Sequence, residues 1–347
     1  MRIMVMGSGG NAGINFCKSL RMGIEDIFIL GVDIDKYNIN RSNADEDVLI
    51  PHPMKGVDKV ELVNKLCDEY NIDIVHAQPD PEVRFLLENK TSIEAKMFNH
   101  SLAEWLSYND KLTCQEIWST KLGLGFTCYP LEDVFNNPRL FEGLQKHENK
   151  VWFRAIRGAG SKAALPITSL EHARSWCQYW VDVKNSSIDD FMLCEFLSGK
   201  EYAVQTLWIN GELIHSQCRE RVEYLFGSIM PSGQSSTPSV AKTVSSMPVY
   251  NAAHDAVLAI SERPHGIYCI DLKENHSGNP IPTEVNYGRL FTTSDFFASV
   301  GMNTPSEYCN YIATGMMPEH KIDSIQEDFH WIRGVDSEPV LHKGVAT

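Results

Sequence analysis

The sequence of 347 residues has no Cys-x-x-Cys pair, and its nine cysteines are odd in number and scattered. That suggests neither a disulfide framework nor a zinc site, and leaves reduced thiols in a cytoplasmic protein as the expectation. No basic run occurs, and the formal net charge is −14. Nucleic acids and anionic membranes are gripped by concentrated Lys and Arg, so neither is expected as a partner. Nowhere are 18 apolar residues consecutive, and the chain opens on an apolar strand pattern, Ile3 to Met6, instead of a signal-peptide hydrophobic region. The Walker A pattern G-x-x-x-x-G-K-[ST] is also missing, which excludes a P-loop without excluding nucleotide binding. What is present is ordinary for a soluble protein: 43% hydrophobic and 22% charged residues, in a chain long enough for two or three domains or lobes.

The most informative stretch runs from Gly266 to Phe291, GIYCIDLKENHSGNPIPTEVNYGRLF. Two runs of β-type residues flank His276-Ser277-Gly278-Asn279, and a two-residue turn at Ser277-Gly278 would close them into a hairpin. This register sets Asp271 opposite Glu284, and the strand period of two places Asn286 on the same face. Opposed like charges destabilise a sheet unless something positive sits between them, and three hard oxygen donors suit Mg²⁺ bridging nucleotide phosphates. A bare pair of acids would equally describe the solvent face of an amphipathic hairpin. Here Arg289 and the hydroxyls of Thr292, Thr293 and Ser294 follow, and such a cluster suits phosphate.

The order D-L-K at 271–273, then E-V-N-Y-G-R at 284–289, resembles the metal-binding end of ATP-grasp enzymes, whose late strands carry an acid, then Glu-x-Asn, then Arg. The resemblance implies that Asp271, Glu284 and Asn286 ligate Mg²⁺ or Mn²⁺ and that Arg289 acts catalytically. This chain departs from the usual order by one residue, because Tyr287 and Gly288 separate Asn286 from Arg289.

Residues 1 to about 35 read strand, glycine turn, helix, strand. Gly7-Ser8-Gly9-Gly10-Asn11-Ala12 satisfies G-x-G-x-x-G/A, and Asp33 closes the next strand. Alone, this pattern predicts a dinucleotide site and an NAD(P)-dependent oxidoreductase. The same glycines also make a tight strand-to-helix turn in a Rossmann-like domain that binds no dinucleotide, and ATP-grasp enzymes typically open with such a domain. A helix from Lys59 to Tyr70 leads to a strand ending at His76, Gln78, Asp80 and Glu82, where ligands of open α/β sheets gather. A Pro-Asp turn and helix cap explains those acids equally well.

From Asn109, NDKLTCQEIWSTKLGLGFTCYP resembles the entry of an ATP-grasp domain, with Lys111 on the first turn of a helix, in reach of phosphate. After a polar connection near 136–149, VWFRAIRGAGSKAALPI reads strand, Gly-rich loop, strand, which is how ATP-grasp proteins fold a flap over the triphosphate. Arg154 and Lys162 are the cations suited to its oxygens. A helix from Leu170 to Val181 precedes two strands around a hinge at Ser198-Gly199. By the resemblance, Glu195, Phe196 and Leu197 read adenine through backbone groups and Glu201 holds the ribose. Arg219 and Arg221 share one face of the next strand, and the family places a substrate- or phosphate-binding Arg there, represented by Arg219; a surface charge ladder is the other reading. Residues 225–248 read as a long loop, and residues beyond Pro318 as a polar tail.

The expected fold class is α/β and α+β: a Rossmann-like domain at 1–108, a two-lobed ATP-grasp domain at 109–315 with its flap lobe near 122–193, and a tail at 316–347. The resemblance implies a ligase in which Mg²⁺-ATP phosphorylates a small-molecule carboxylate and an amine or similar nucleophile attacks the acyl phosphate. His215 and His265 are expected to be structural. A non-catalytic ATP sensor is the further alternative, and a homodimer is compatible with the resemblance.

Overall fold

The computed structural model describes residues 1–50, 58–158, 160, 162–235, 237–335 and 338–344. Ile3 and Val5 enter one hydrophobic cluster and Met4 and Met6 another, and all four are buried. A strand covered on both faces is what a parallel sheet requires. Arg2–Met6 accordingly pairs in parallel with Phe28–Asp33 and with Ile74–Ala77, and Glu46–Leu49 extends the sheet beyond Phe28–Asp33. Helix Asn11–Gly23 follows the first strand, and helix Lys59–Glu69 starts at Asp58, whose carboxylate accepts from the backbone of Val60 and Glu61. This is the expected Rossmann-like unit. The carboxyl ends of Arg2–Met6 and Ile74–Ala77 lie side by side, and Gly7 and Gln78 continue from them.

A small lobe holds a four-stranded antiparallel sheet in the order Cys128–Pro130, Phe191–Glu195, Val151–Ala155, Leu165–Ile167. Its core joins Phe153 and Leu193 of the sheet to Leu131 and Val134 of helix Leu131–Asn136 and Ala173 of helix Leu170–Lys184. The polar connection expected at 136–149 contains a helix, Arg139–Leu144, because Phe141 and Leu144, three apart, reach the same core.

The large lobe is an eight-stranded sheet. Pro280–Tyr287, Gly266–Glu274, Glu201–Ile209 and Glu212–Tyr224 run side by side, and Pro238–Thr243, Phe329–Ile332 and Val340–Lys343 extend the far side. The strands flanking Ser198-Gly199 belong to different sheets, Phe191–Glu195 to the small lobe and Glu201–Ile209 to the large one, so residues 196–200 cross between lobes and no local hairpin exists. Residues of the N-terminal sheet and of the large sheet share the same two hydrophobic clusters, which fastens these units to each other through continuous apolar packing.

Three expectations need correction. The hairpin turn is a three-residue loop, His276 to Gly278, closed by Asn275 and Asn279, with Gly278 at φ +77° where a side chain would be strained. A register shift between Leu272 and Asp271, with Thr283 as the extra residue, then returns Asp271 to a position opposite Glu284. The loop expected at 225–248 contains the strand Pro238–Thr243, since Pro238, Ala241 and Thr243 are buried against the sheet, and the helix beginning at Met247; Ser236 lies outside the described residues. The polar tail is not peripheral: Lys321–Ile322, Phe329–Ile332 and Val340–Lys343 all pair into the large sheet, and Trp331 is buried, stacked on Phe296 at 5.5 Å between ring centroids. Sequence polarity misled here because only Phe329–Ile332 buries side chains, His330 and Trp331, while Lys321–Ile322 and Val340–Lys343 bury none and join the sheet through backbone pairing. No helix among the described residues is long and apolar enough to cross a membrane.

Trp331→Ala is expected to lower stability by about 3–5 kcal/mol, the usual cost of truncating a large buried aromatic. Urea denaturation measures it, and an unchanged midpoint would return residues 316–347 to a peripheral role.

Candidate active site

A cavity of about 710 Å³ opens where the three units meet. The N-terminal glycine turn, the residues after Ile74–Ala77, the small-lobe Gly-rich loop, the 195–197 crossing and the acidic hairpin all line it. Seven cationic and five acidic side chains face this cavity, in a chain whose net charge is −14. The excess of positive charge is therefore local, as a polyphosphate site in an acidic protein requires.

Asp271 and Glu284 stand opposite each other across the hairpin. Arg221 donates from Nη2 to Asp271 Oδ1 at 2.5 Å, and Arg154 donates from Nη2 to Glu284 Oε2 at 2.5 Å. Lys111 Nζ lies 3.7 Å from the same Glu284 oxygen. Burial pushes the Asp271 carboxyl up; Arg221 opposes this and the neighbouring Glu284 adds to it, so the net shift is upward. Burial pushes Glu284 up too, but Lys111 and Arg154, helped by Arg221, outweigh it and hold the carboxyl down to about 2. Lys111 is itself pushed down by burial, with Glu284 pulling the other way. The arginines engage one oxygen of each acid. Asn286 shares the face with its amide oxygen, which accepts a hydrogen bond from Arg289. Two carboxylates and an amide oxygen form a hard donor set that fits Mg²⁺ or Mn²⁺.

Arg219 is 2% exposed, yet its Nε and Nη1 have no hydrogen-bond partner among the described residues. Its guanidinium lies 4.5 Å over the Phe291 ring, and burial with the nearby Arg221 pushes its pKa down to about 9. A buried guanidinium with unused donors on a cavity wall calls for an oxyanion. Arg289 Nε lies 2.8 Å from Asp80 Oδ1, which ties the hairpin to the N-terminal unit.

Asp110 caps helix Lys111–Leu122 by accepting from Thr113 N at 3.0 Å, and Lys111 Nζ donates to Gly158 O at 2.5 Å. The first turn of this helix thereby touches the Gly-rich loop, of which Ala159 and Ser161 lie outside the described residues. Lys162 also lines the cavity, with its ammonium 5.8 Å over Trp180. Glu195, Phe196 and Leu197 line the crossing between lobes, with Trp152 edge-on to Phe196 at 6.0 Å. Glu201 is held by Lys273 and Gln234, each at 2.5 Å, and by the Tyr224 hydroxyl. Burial raises its carboxyl, but Lys273 and these donors outweigh that, and the net shift is downward.

No protein family matches at the level of sequence, and no curated protein does. Solved structures do match. An L-amino acid ligase from Bacillus licheniformis is similar at 13% identity and a TM-score of 0.66, covering 95% of this chain and 78% of its own. The biotin carboxylase domain of a Hydrogenobacter thermophilus 2-oxoglutarate carboxylase, solved with MgADP, ADP and bicarbonate, is similar at 14% identity and a TM-score of 0.70, covering 95% and 73%. A carboxyaminoimidazole ribonucleotide synthase from Aspergillus clavatus, complexed with ATP, is similar at 14% and 0.65, covering 95% and 81%. The chain has the ATP-grasp fold.

In this fold the N-terminal glycine turn lines the cavity, and Gly7 is required because a Cβ there would lie 2.3 Å from Pro79 Cγ. Asp33 is already spent on the turn itself: Oδ2 accepts from Gly9 N at 3.1 Å and Oδ1 from Asp35 N at 2.9 Å. It is not presented to a ribose, as a dinucleotide site would need. Of the residues after Ile74–Ala77, Gln78 and Asp80 reach the cavity. His76 is instead buried, stacked on Phe16 at 4.2 Å, and Glu82 pairs with Lys59 at 2.6 Å. His215 is bonded to Thr304 and the Glu319 carbonyl, His265 accepts from Asn210 N, and neither lines this cavity. Sequence reasoning missed Lys273, Tyr224 and Gln234, and gave Arg221 no role beyond a shared face with Arg219. Lys273 carried a signal, since it stands two residues after Asp271 on one strand. Its partner Glu201 came from a strand pairing that no local pattern reveals.

The depressed Glu284 carboxyl predicts a sign for acid stability. A carboxylate held low releases its proton more readily in the folded state, so its contribution is present above about pH 4.5 and is lost as pH falls toward about 2. Glu284→Gln is expected to flatten this part of the pH–stability curve, measured by urea denaturation at stepped pH. An unchanged slope would remove the Lys111 and Arg154 pairing as its cause.

Proposed function

We propose that this protein is a Mg²⁺-ATP-dependent ligase that activates a small carboxylate as its acyl phosphate for attack by an amine or similar nucleophile. The observation that carries this reading is Arg219, a buried guanidinium with two unused donors, beside an acid pair suited to a divalent metal in one cavity. An anion pocket next to a metal-phosphate site is what transfer of phosphoryl to a carboxylate needs. The neighbours solved with MgADP or ATP support the same reading.

Lys111, Arg154 and Lys162 neutralise phosphate oxygens. Backbone groups of Glu195, Phe196 and Leu197 meet the adenine, and Glu201 meets the ribose. Arg219 and Arg289 orient the carboxylate so that its oxygen lies in line with the γ-phosphorus and steady the charge that develops. Asp271, Glu284 and Asn286 hold Mg²⁺, which supplies further neutralisation of the phosphate oxygens when bound. No nucleophilic side chain is required, because the substrate oxygen attacks and the positioned cations lower the barrier.

Phosphate release from Mg²⁺-ATP across pooled carboxylic acids and amino acids tests the proposal. Release is expected only with a productive pool, and Arg219→Lys is expected to lower kcat/KM for the carboxylate by about 10²–10³ while ATP affinity holds, the usual loss for one preorganised donor. ATP binding with no turnover in any pool would identify a sensor, and full activity of Arg219→Lys would remove the carboxylate role.

A further inference from the structure

At the hinge edge of the cavity, away from the acid pair, three metal-ligating side chains converge from three parts of the chain. His147 follows small-lobe helix Arg139–Leu144, Glu195 ends small-lobe strand Phe191–Glu195, and His276 sits in the loop of the large-lobe hairpin. One ligating atom from each lies within 4.8 Å of the other two. The imidazoles of His147 and His276 stack at 3.6 Å between centroids and 14° between planes, although both residues are solvent-exposed. Burial does not force them together, since each has open water as an alternative.

We propose that His147, Glu195 and His276 form a binding site for a divalent transition-metal ion of the Zn²⁺ class, which ties the two lobes together beside the hinge. Two imidazole nitrogens and one carboxylate oxygen suit a borderline ion, whereas Mg²⁺ prefers all-oxygen sets such as the one at Asp271 and Glu284. Tetrahedral Zn²⁺ with bonds of about 2.1 Å spaces its ligands roughly 3.4 Å apart, so the ligand atoms draw closer and the two stacked imidazoles rotate out of parallel until their in-plane lone pairs meet at the ion, with water in the fourth position. Glu195 has an oxygen available for this purpose: Oε2 accepts from Thr127 N at 3.5 Å, and Oε1 has no hydrogen-bond partner among the described residues. The side chain of Glu195 serves the metal while its backbone stays in the wall of the cavity. Because His276 belongs to the large lobe and the other two ligands to the small lobe, an ion here restrains the crossing at 196–200 and holds the cleft closed.

The test uses the full chain with excess Mg²⁺, so that the hard site is saturated, and titrates Zn²⁺ by calorimetry and Co²⁺ by absorption. One equivalent of Zn²⁺ is expected to bind, with Co²⁺ bands of nitrogen and oxygen ligation and no thiolate charge-transfer band. His147→Gln and His276→Gln, both at exposed positions, should each weaken Zn²⁺ by about 10- to 100-fold or more, at least the loss seen when a ligand's supporting partner is removed. Zn²⁺ should raise the Tm of the wild type and leave that of the double variant unmoved, with the metal-free Tm values equal to show intact folding. Absence of stoichiometric Zn²⁺ binding in the wild type would overturn the proposal. So would undiminished binding in the double variant, or a thiolate band that moves the ion to the cysteines.

Discussion

The structure turns on two carboxylates that face each other on neighbouring strands, Asp271 and Glu284. At an effective dielectric near 20, two unit charges about 4 Å apart repel by roughly 4 kcal/mol, a large fraction of a protein's net stability. The fold meets this with Arg221 on one acid and Arg154 with Lys111 on the other. These cations come from three different places: the strand Glu212–Tyr224 of the large sheet, the small-lobe strand Val151–Ala155, and the helix that enters the small lobe. Holding the acid pair therefore fixes both lobes around one point. The same arrangement leaves an oxygen of each acid for a metal and a cationic wall for phosphate.

Much of the surrounding architecture serves that geometry. The N-terminal sheet contributes little charge, but its strand ends bring the glycine turn and Asp80 to the cavity, and Asp80 anchors Arg289. The shared hydrophobic clusters of this sheet and the large lobe make the wall one packed unit. The small lobe packs its own core and meets the rest through the 196–200 crossing, the Lys111 helix, the Arg154 contact, the His147–His276 stack and a hydrophobic cluster that joins Met192 and Cys194 to Ile281 of the hairpin. The His147, Glu195 and His276 cluster joins residues of both lobes, so a metal there would tie one lobe to the other.

The sequence was most legible where local chemistry and periodicity agreed. The helices expected from Lys59 and from Leu170 are present as Lys59–Glu69 and Leu170–Lys184, and the structure shows their caps, Asp58 and Ser169. The facing of Asp271 and Glu284 was read correctly from a turn that was itself misplaced by one residue, because the extra residue Thr283 returns the strand to the expected phase. A slip of one residue flips every side chain, so the two irregularities had to cancel for the site to exist. Long-range pairing was not legible. The strands at 238–243 and 329–332 are short, polar on one face and paired with segments far away in sequence, and nothing local marks them. Arg221 and Lys273 were missed as site residues for the same reason: their partners lie across strand pairings that only the folded sheet defines.

The most direct measurement is the affinity for ATP as a function of Mg²⁺ in the wild type and in Glu284→Gln, by calorimetry. A metal held by the acid pair against nucleotide phosphates predicts that wild-type affinity rises steeply with Mg²⁺ and that Glu284→Gln loses most of this dependence. Equal affinity in the two proteins at limiting Mg²⁺, or ATP binding indifferent to the metal, would contradict the account.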